Sequence, residues 1–239
     1  MMPSFLVFGG IIYVLFFSQY FQIKEVKIFG VKTISEEALR KKVNAELSKK
    51  VYFFIPQNNL FLFPAKKVKT DFLKEFPKTK NVFIKRGLLN FLEIKVEERE
   101  MAAIWCGLPN CFFIDKDGVI FEEAPSVDGS LIFKIDGKSR AEDIKLGDRI
   151  FEPDFMNKIF DSKKIFEDGL GVSFPSFTVL EDNVLEANSS FGWKIIFDSP
   201  SDLGVQMEAL KKIFEEMKPE EKEVLEYFNL RIEGRIYYK

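Results

Sequence analysis

The first 23 residues, Met1 to Ile23, carry no charged side chain, and Phe, Leu, Val, Ile and Gly dominate Pro3 to Tyr20. A membrane-spanning helix needs roughly 20 largely apolar residues, so the run is long enough to span, with little to spare. A cleavable signal peptide would carry a basic n-region and a small-residue cleavage site. Nothing basic precedes this run, and Ser18-Gln19-Tyr20 is a poor cleavage site. The run is therefore read as an uncleaved single anchor, residues 1–22. Lys24 and Lys27 follow it directly, which counted naively favours a cytoplasmic location for what comes next. A large downstream domain translocates regardless of nearby charge, so this balance does not decide orientation.

The segment behind the run is patterned at once, without a linker. Val26 and Ile28 alternate with Glu25 and Lys27, the period of a half-buried strand that Gly30 ends. Thr33 or Ser35 caps a helix, and Thr33 with Glu36 has capping-box spacing. Leu39, Val43 and Leu47 then share one helix face. The aromatic stretch 51–63, interrupted by Pro56, reads as a loop with a short extended piece. Pro64 suits the first turn of a second helix, with Val68, Phe72 and Phe76 on one face and Pro77 at its end. Val82 and Ile84, a turn around Gly87, and Leu92, Ile94 and Val96 alternating with Glu93, Lys95 and Glu97 read as a hairpin. The order is β-α-α-β-β, a small α+β module with Val26, Ile28, Leu39, Val43, Phe72, Val82, Ile94 and Val96 as its expected core.

After Arg99 short β-like runs dominate: Ala103 to Trp105, Cys111 to Ile114, Val119 to Phe121 and Leu131 to Ile135. Asp117-Gly118 between two of them is a hairpin turn signal. Further strands are expected at Val172 to Phe174, Phe177 to Leu180, Val184 to Ala187 and Trp193 to Phe197. A helix is expected over Asp154 to Lys164, with Phe155, Ile159 and Phe160 inward. A second, Leu203 to Met217, carries the stripe Leu203, Met207, Leu210 and Phe214, with Ser199 or Ser201 as its cap. A strand-like run from Tyr227 to Tyr238, broken by Gly234, ends the chain. No repeat, phosphate-binding loop or dinucleotide fingerprint is present.

Residue types exclude much chemistry. The 239 residues include 35 Lys and Arg against 37 Asp and Glu, a net charge of −2, so no basic excess is available to displace counterions from nucleic acid. There is no histidine, which removes Ser-His-Asp and Cys-His constellations and His-based zinc sites. Two cysteines, Cys106 and Cys111, do not make a zinc site by themselves. Asp115 and Asp117 are the one carboxylate pair that invites a hydrolytic reading, and a turn role explains them better. The 28 Phe residues are scattered through every segment, as a compositional bias would leave them, rather than gathered in a binding stripe.

Four stretches carry a resemblance. "FQIKEVKIFGVKTISEEAL" resembles the membrane-proximal strand, Gly turn and first helix of the bacterial cell-division proteins of the FtsQ/DivIB family. "NFLEIKVEEREMAAIW", Asn90 to Trp105, is similar to the family's last POTRA strand and its exit. "FFIDKDGVIFEE", Phe112 to Glu123, looks like its Asp-x-x-Gly hairpin. "FNLRIEGRIYYK", Phe228 to Lys239, resembles its terminal strand. Leu89 stands where the family has Pro, Asn229 where it has Asp, and the usual basic cytoplasmic tail is essentially absent.

The resemblance implies an α+β protein with an anchor at 1–22, a POTRA-like domain at 23–98 and a β-rich domain at 99–239 that ends in a helix and an edge strand. It implies a non-enzymatic divisome scaffold in the cytoplasmic membrane at the division septum. The N-terminus would lie inside and the chain from Lys24 onward outside the cytoplasm. Coiled-coil membrane proteins of the FtsB/FtsL or DivIC type and the septal cell-wall synthesis proteins would be its partners. No catalytic, cofactor or metal site, no small-molecule substrate and no nucleic acid are expected. The alternatives are a membrane-tethered hydrolase using two carboxylates and a POTRA component of a secretion or assembly system.

Two local expectations complete the reading. The terminal run is expected to be one edge strand, with Leu230 and Ile232 on one face and Arg231, Glu233 and Arg235 on the other. Its open backbone edge would pair with a partner strand, and Leu230, Arg231, Ile232, Arg235, Tyr237 and Tyr238 are the expected contacts. The charges there equally fit an ordinary blunted edge. Cys106 and Cys111 flank the turn-like tetrad Gly107-Leu108-Pro109-Asn110, which would oppose them closely enough for a disulfide; two reduced thiols are the alternative.

Overall fold

A parallel strand pair organises the first half of the chain. β1 (Glu25–Phe29) lies beside β5 (Phe91–Glu98), with Val26 opposite Leu92 and Ile28 opposite Ile94. β5 also pairs antiparallel with β4 (Thr79–Gly87), giving the sheet order β1-β5-β4. The computed structural model describes residues 2–51, 55–87, 90–125, 132–140, 144–180, 184–198 and 203–239. The chain divides into two compact units, Met1–Arg99 and Glu100–Lys239.

The parallel pair needs a crossover, which two helices supply. α2 (Glu36–Leu47) starts at Ser35, whose Oγ accepts from Ala38 N at 3.3 Å, with Glu36 and Glu37 in the first turn. Acidic residues there suit the positive end of the helix dipole. Thr33 is not the cap, because its hydroxyl and backbone N–H are committed to Glu98, and Glu36 instead pairs with Arg40 at 2.6 Å. α3 (Ala65–Glu75) follows Pro64. Leu39, Val43, Val68 and Phe72 are buried against Ile28, Val82, Leu92, Ile94 and Val96. Val26 is only partly buried, being on the edge strand. The expected loop at 51–63 holds two short antiparallel pieces, β2 (Lys50–Val51) and β3 (Ile55–Pro56), and delivers Leu60 and Phe63 to the core. Gly30 sits at φ +84°, and a Cβ there would come within 2.2 Å of Val96 O, so the turn after β1 admits glycine alone.

Two carboxylates pin this unit. Glu98 accepts from Lys32 N at 2.6 Å, from Thr33 N and Ile34 N, and from Thr33 Oγ1 at 2.6 Å. Burial pushes the Glu98 carboxyl up, but these hydrogen bonds outweigh it and hold the group below the usual carboxylate range. Glu46, its side chain 9% exposed, accepts from Lys49, from Lys67 at 2.9 Å and from Gln57 at 3.1 Å, tying α2 to α3 and to the 57–62 loop.

The N-terminal helix α1 (Met2–Phe17) has 16 residues, and among the described residues no helix is long and apolar enough to cross a membrane. A short 3-10 turn, Gln19–Phe21, links it to the strand.

The second unit is built on one nine-stranded sheet. β6 (Ala103–Leu108), β7 (Cys111–Ile114) and β8 (Ile120–Ala124) form an antiparallel meander. β9 (Lys134–Arg140) lies parallel to β6 on one side and to β10 (Ser176–Val179) on the other. β11 (Val184–Asn188) and β12 (Lys194–Asp198) continue antiparallel. β13 (Tyr227–Asn229) returns parallel to β12, and β14 (Tyr237–Tyr238) closes the row. Each of the parallel steps β9–β10 and β12–β13 is bridged by helix: α4 (Pro153–Leu170) in the first, α5 (Leu203–Glu216) and the short α6 (Pro219–Glu223) in the second.

Three sequence expectations change here. The first helix runs on to Leu170, ending at Gly171 in the left-handed conformation, because Met156, Ile159, Ser162 and Phe166 keep one face buried past Lys164. Residues Val172 to Phe174 are not a strand; Phe174 N is held by Glu167 Oε1 at 2.9 Å, which seats the Phe174 ring in the core. β9 starts at Lys134, and Leu131 lies outside the described residues, as do Ser199 and Ser201. Many of the scattered Phe rings converge here: Phe166 meets Phe197 at 5.0 Å edge-on, and Trp193 meets Phe174 and Phe228 at 5.6 and 5.7 Å.

Candidate partner-binding edge

The nine-stranded sheet ends at β14, and the two elements that position it come from the last 13 residues. Phe228 is fully buried between Trp193 and Phe214, which anchors β13. Leu230 follows at 1% exposure, its N–H donating to Ile196 O at 2.8 Å and its carbonyl accepting from Gln206 Nε2 at 3.0 Å. The strand stops there. Arg235 N donates to Ile232 O at 3.1 Å, Gly234 takes φ +71°, and the chain reverses into β14. The expected single edge strand is thus a hairpin. Leu230 and Ile232 do not share a face, since Leu230 is core and Ile232 is 50% exposed.

Register settles which backbone groups face outward. Tyr227 and Lys239 exchange both hydrogen bonds, at 3.3 and 3.2 Å. In an antiparallel ladder hydrogen-bonded and non-hydrogen-bonded pairs alternate. Phe228 and Tyr238 are therefore the non-bonded pair, and the N–H and C=O of Tyr238 point away from β13 to the open edge. The Tyr238 ring lies 5.8 Å from that of Phe228 and remains 54% exposed.

The remaining expected contacts surround this edge. Arg231 is exposed and its Nε donates to Asp198 Oδ1 at 3.1 Å, clasping the end of β12. Arg235 donates weakly to the Tyr237 hydroxyl at 3.5 Å, and Tyr237 is largely exposed. Lys239 and Glu226 pair at 3.1 Å across the hairpin's base. Of the six residues expected at this surface, only Leu230 is withdrawn into the core. Sequence reading missed α6 and the exposed Val224 behind it. Pro219 followed by Glu220 and Glu221 is a helix-start signal that would have found α6.

The other sequence-marked residues fall elsewhere. Asp115 is buried, and its Oδ1 accepts from Asp117 N and Val119 N, both at 3.0 Å. That is turn construction, so the hydrolytic reading gains nothing from this pair. Cys106 and Cys111 are direct cross-strand partners with Cα atoms 4.1 Å apart and are joined by a disulfide. In the first unit β1 is likewise an edge, beside an open groove of about 630 Å3. There Arg40 already donates to Val26 O at 2.8 Å, blunting it.

Comparison with known proteins bears on both units. Residues 21–99 match the POTRA domain of the FtsQ type. The chain is 32% identical over 118 residues to the cell division protein DivIB of Clostridium acetobutylicum. That stretch is 49% of this chain and 43% of the relative, so less than half of the relative's length is matched.

Proposed function

We propose that this chain, an FtsQ/DivIB-type protein by its POTRA domain and its similarity to DivIB, acts in cell division as a non-enzymatic scaffold. In this reading α1 holds the protein in the cytoplasmic membrane as a single-pass anchor. Residues from Lys24 onward lie outside the cytoplasm at the septum. The two units recruit and regulate septal cell-wall synthesis proteins, with a coiled-coil membrane division protein of the FtsB/FtsL or DivIC type as the direct partner. The uncharged character of the first 23 residues supports the anchor. The carboxyls held low, Glu46, Glu98 and Glu167, are occupied by hydrogen bonds that build the fold, which suits a scaffold.

The open edge at Tyr238 carries the reading of the binding site. Its outward N–H and C=O are suited to strand addition, and Arg231, Arg235, Tyr237 and Tyr238 surround it with Arg and Tyr, residue types rich in interface hot spots. Tyr238→Pro removes the outward N–H without touching a bond to β13. Tagged wild-type chain recovered from dividing cells should carry a coiled-coil membrane division protein, identified by mass spectrometry. The variant should lose it while staying folded, and Tyr238→Ala, which loses the same ring contact to Phe228 but keeps the N–H, should retain more of it. A folded Tyr238→Pro variant that recovers the same partner in full would place the interface elsewhere.

A further inference from the structure

The end of α1 is fastened to the POTRA unit by an unusual density of polar contacts. Asn59 is fully buried, and its Nδ2 donates to Leu15 O at 2.8 Å and Phe16 O at 3.3 Å. Its Oδ1 accepts from Phe61 N at 2.8 Å. Asn90 Nδ2 donates to Gln19 O at 2.8 Å, Leu60 N to Phe21 O at 2.8 Å, and Ile23 N to Asn58 O at 2.6 Å. The last carbonyls of a helix have no partners within it, and leaving them bare in an apolar medium is costly. Here a buried side-chain amide meets two of them.

The same contacts present aromatic side chains outward. Tyr20 is 82% exposed and Phe61 55%, with Phe61 lying 5.2 Å from the Phe21 ring. A Phe ring left in water forgoes about 2 kcal/mol of burial, and here the backbone carrying it is pinned in place. The uncharged run ends at Ile23, so on the anchor reading these rings stand where that run meets water. Tyr and other amphipathic aromatics favour that layer.

We propose that Tyr20 and Phe61 form an aromatic collar that seats the POTRA unit on the lipid–water interface beside the end of α1. Asn59 and Asn90 hold the collar in register with the helix. The proposal rests on the reading of α1 as the anchor. Its occupant is the lipid boundary itself; the collar's covalent continuity with the uncharged run favours lipid over a protein partner.

The test uses full-length chain reconstituted in phosphatidylcholine–phosphatidylglycerol vesicles with bromines at a shallow acyl position. Both native tryptophans, Trp105 and Trp193, are buried in the second unit, so wild-type emission is a constant background. Val14→Trp in α1 reports the anchor, and Phe61→Trp reports the collar. Phe83→Trp is the control, exposed on β4 and four residues, roughly 13 Å, along the strand from Gly87. Bromination should remove about half of the added Phe61→Trp emission and leave that of Phe83→Trp nearly unchanged. If Val14→Trp is quenched and Phe61→Trp behaves like Phe83→Trp, the collar is wrong and the anchor stands. If Val14→Trp is unquenched, the anchor fails and takes the collar with it.

Discussion

Glu46 ties the first unit together through charge, and acid should untie it. Burial alone would push its carboxyl up, but the hydrogen bonds from Lys49, Lys67 and Gln57 win, and the group falls from 4.5 to about 2. A carboxyl depressed in the folded state contributes stability above its unfolded value and loses it as pH falls through the folded value. The window is therefore about pH 4.5 down to about pH 2. At about 1.4 kcal/mol per unit, the full shift is worth up to roughly 3.4 kcal/mol at neutral pH and roughly 1.4 kcal/mol at pH 3. Glu46→Gln removes the titration, so the difference between variant and wild type should shrink by about 2 kcal/mol between pH 7 and pH 3. Hydrogen exchange of the intact chain, read by mass spectrometry on α2 and α3 peptides and corrected for intrinsic rates, isolates this unit from the other. A loss in Glu46→Gln that is equally large at both pH values would mean that shape and not charge sets the contribution. No loss at pH 7 would mean that the carboxyl is not depressed at all.

Glu98→Gln keeps the shape of its clamp on Lys32, Thr33 and Ile34 but removes the charge, and should cost about 1–3 kcal/mol, read as a lower midpoint for the same peptides. Gly118→Ala should destabilise the second unit by at least about 1–3 kcal/mol, because φ is +75° and the new Cβ would meet Phe151 O at 1.9 Å; tryptophan fluorescence in urea measures it. Cys106 and Cys111 should appear as one crosslinked peptide in non-reducing maps of protein from its native envelope, and alkylation of both thiols without reductant would contradict the bond. An enzyme reporter active only in the cytoplasm should be inactive when fused after Lys239, and activity there would overturn the proposed topology.

How much of this was legible depended on whether the deciding force was local. In the first unit, period-two and period-3.6 patterns place Ile28, Leu39, Val43, Phe72, Val82, Ile94 and Val96 in the core without help from distant chain. The sequence leaves the cap open between Thr33 and Ser35, because the choice is made by Glu98, more than 60 residues away, which takes the Thr33 hydroxyl and leaves Ser35 as the cap. In the second unit the helix over 153–170 was cut short at Lys164: Gly169 near its end weakens the local signal, while burial of Phe166 against Phe197 sustains the helix. Leu60 and Phe63 were hidden in a loop reading, and they are buried because Asn59 pins that loop.

The edge site shows the same division at closer range. Counting by twos from Phe228 puts Leu230 and Ile232 on one face only if the strand continues, and nothing local says that it stops at Asn229. What stops it is tertiary. Leu230 enters the core, Gln206 on α5 takes its carbonyl, and Gly234 allows the reversal that returns Tyr238 over Phe228. The reversal moves the open edge from the Phe228–Leu230 segment to Tyr238, and it changes which proline is informative. Tyr237 sits opposite Asn229 in a bonded pair, so Tyr237→Pro breaks the fold's own ladder, whereas Tyr238→Pro leaves the ladder bonds whole and removes the outward N–H together with the ring contact to Phe228. A composition-level expectation of Arg and Tyr at the end of the chain can thus point to the right surface, while the backbone groups that would do the binding are identified only by register.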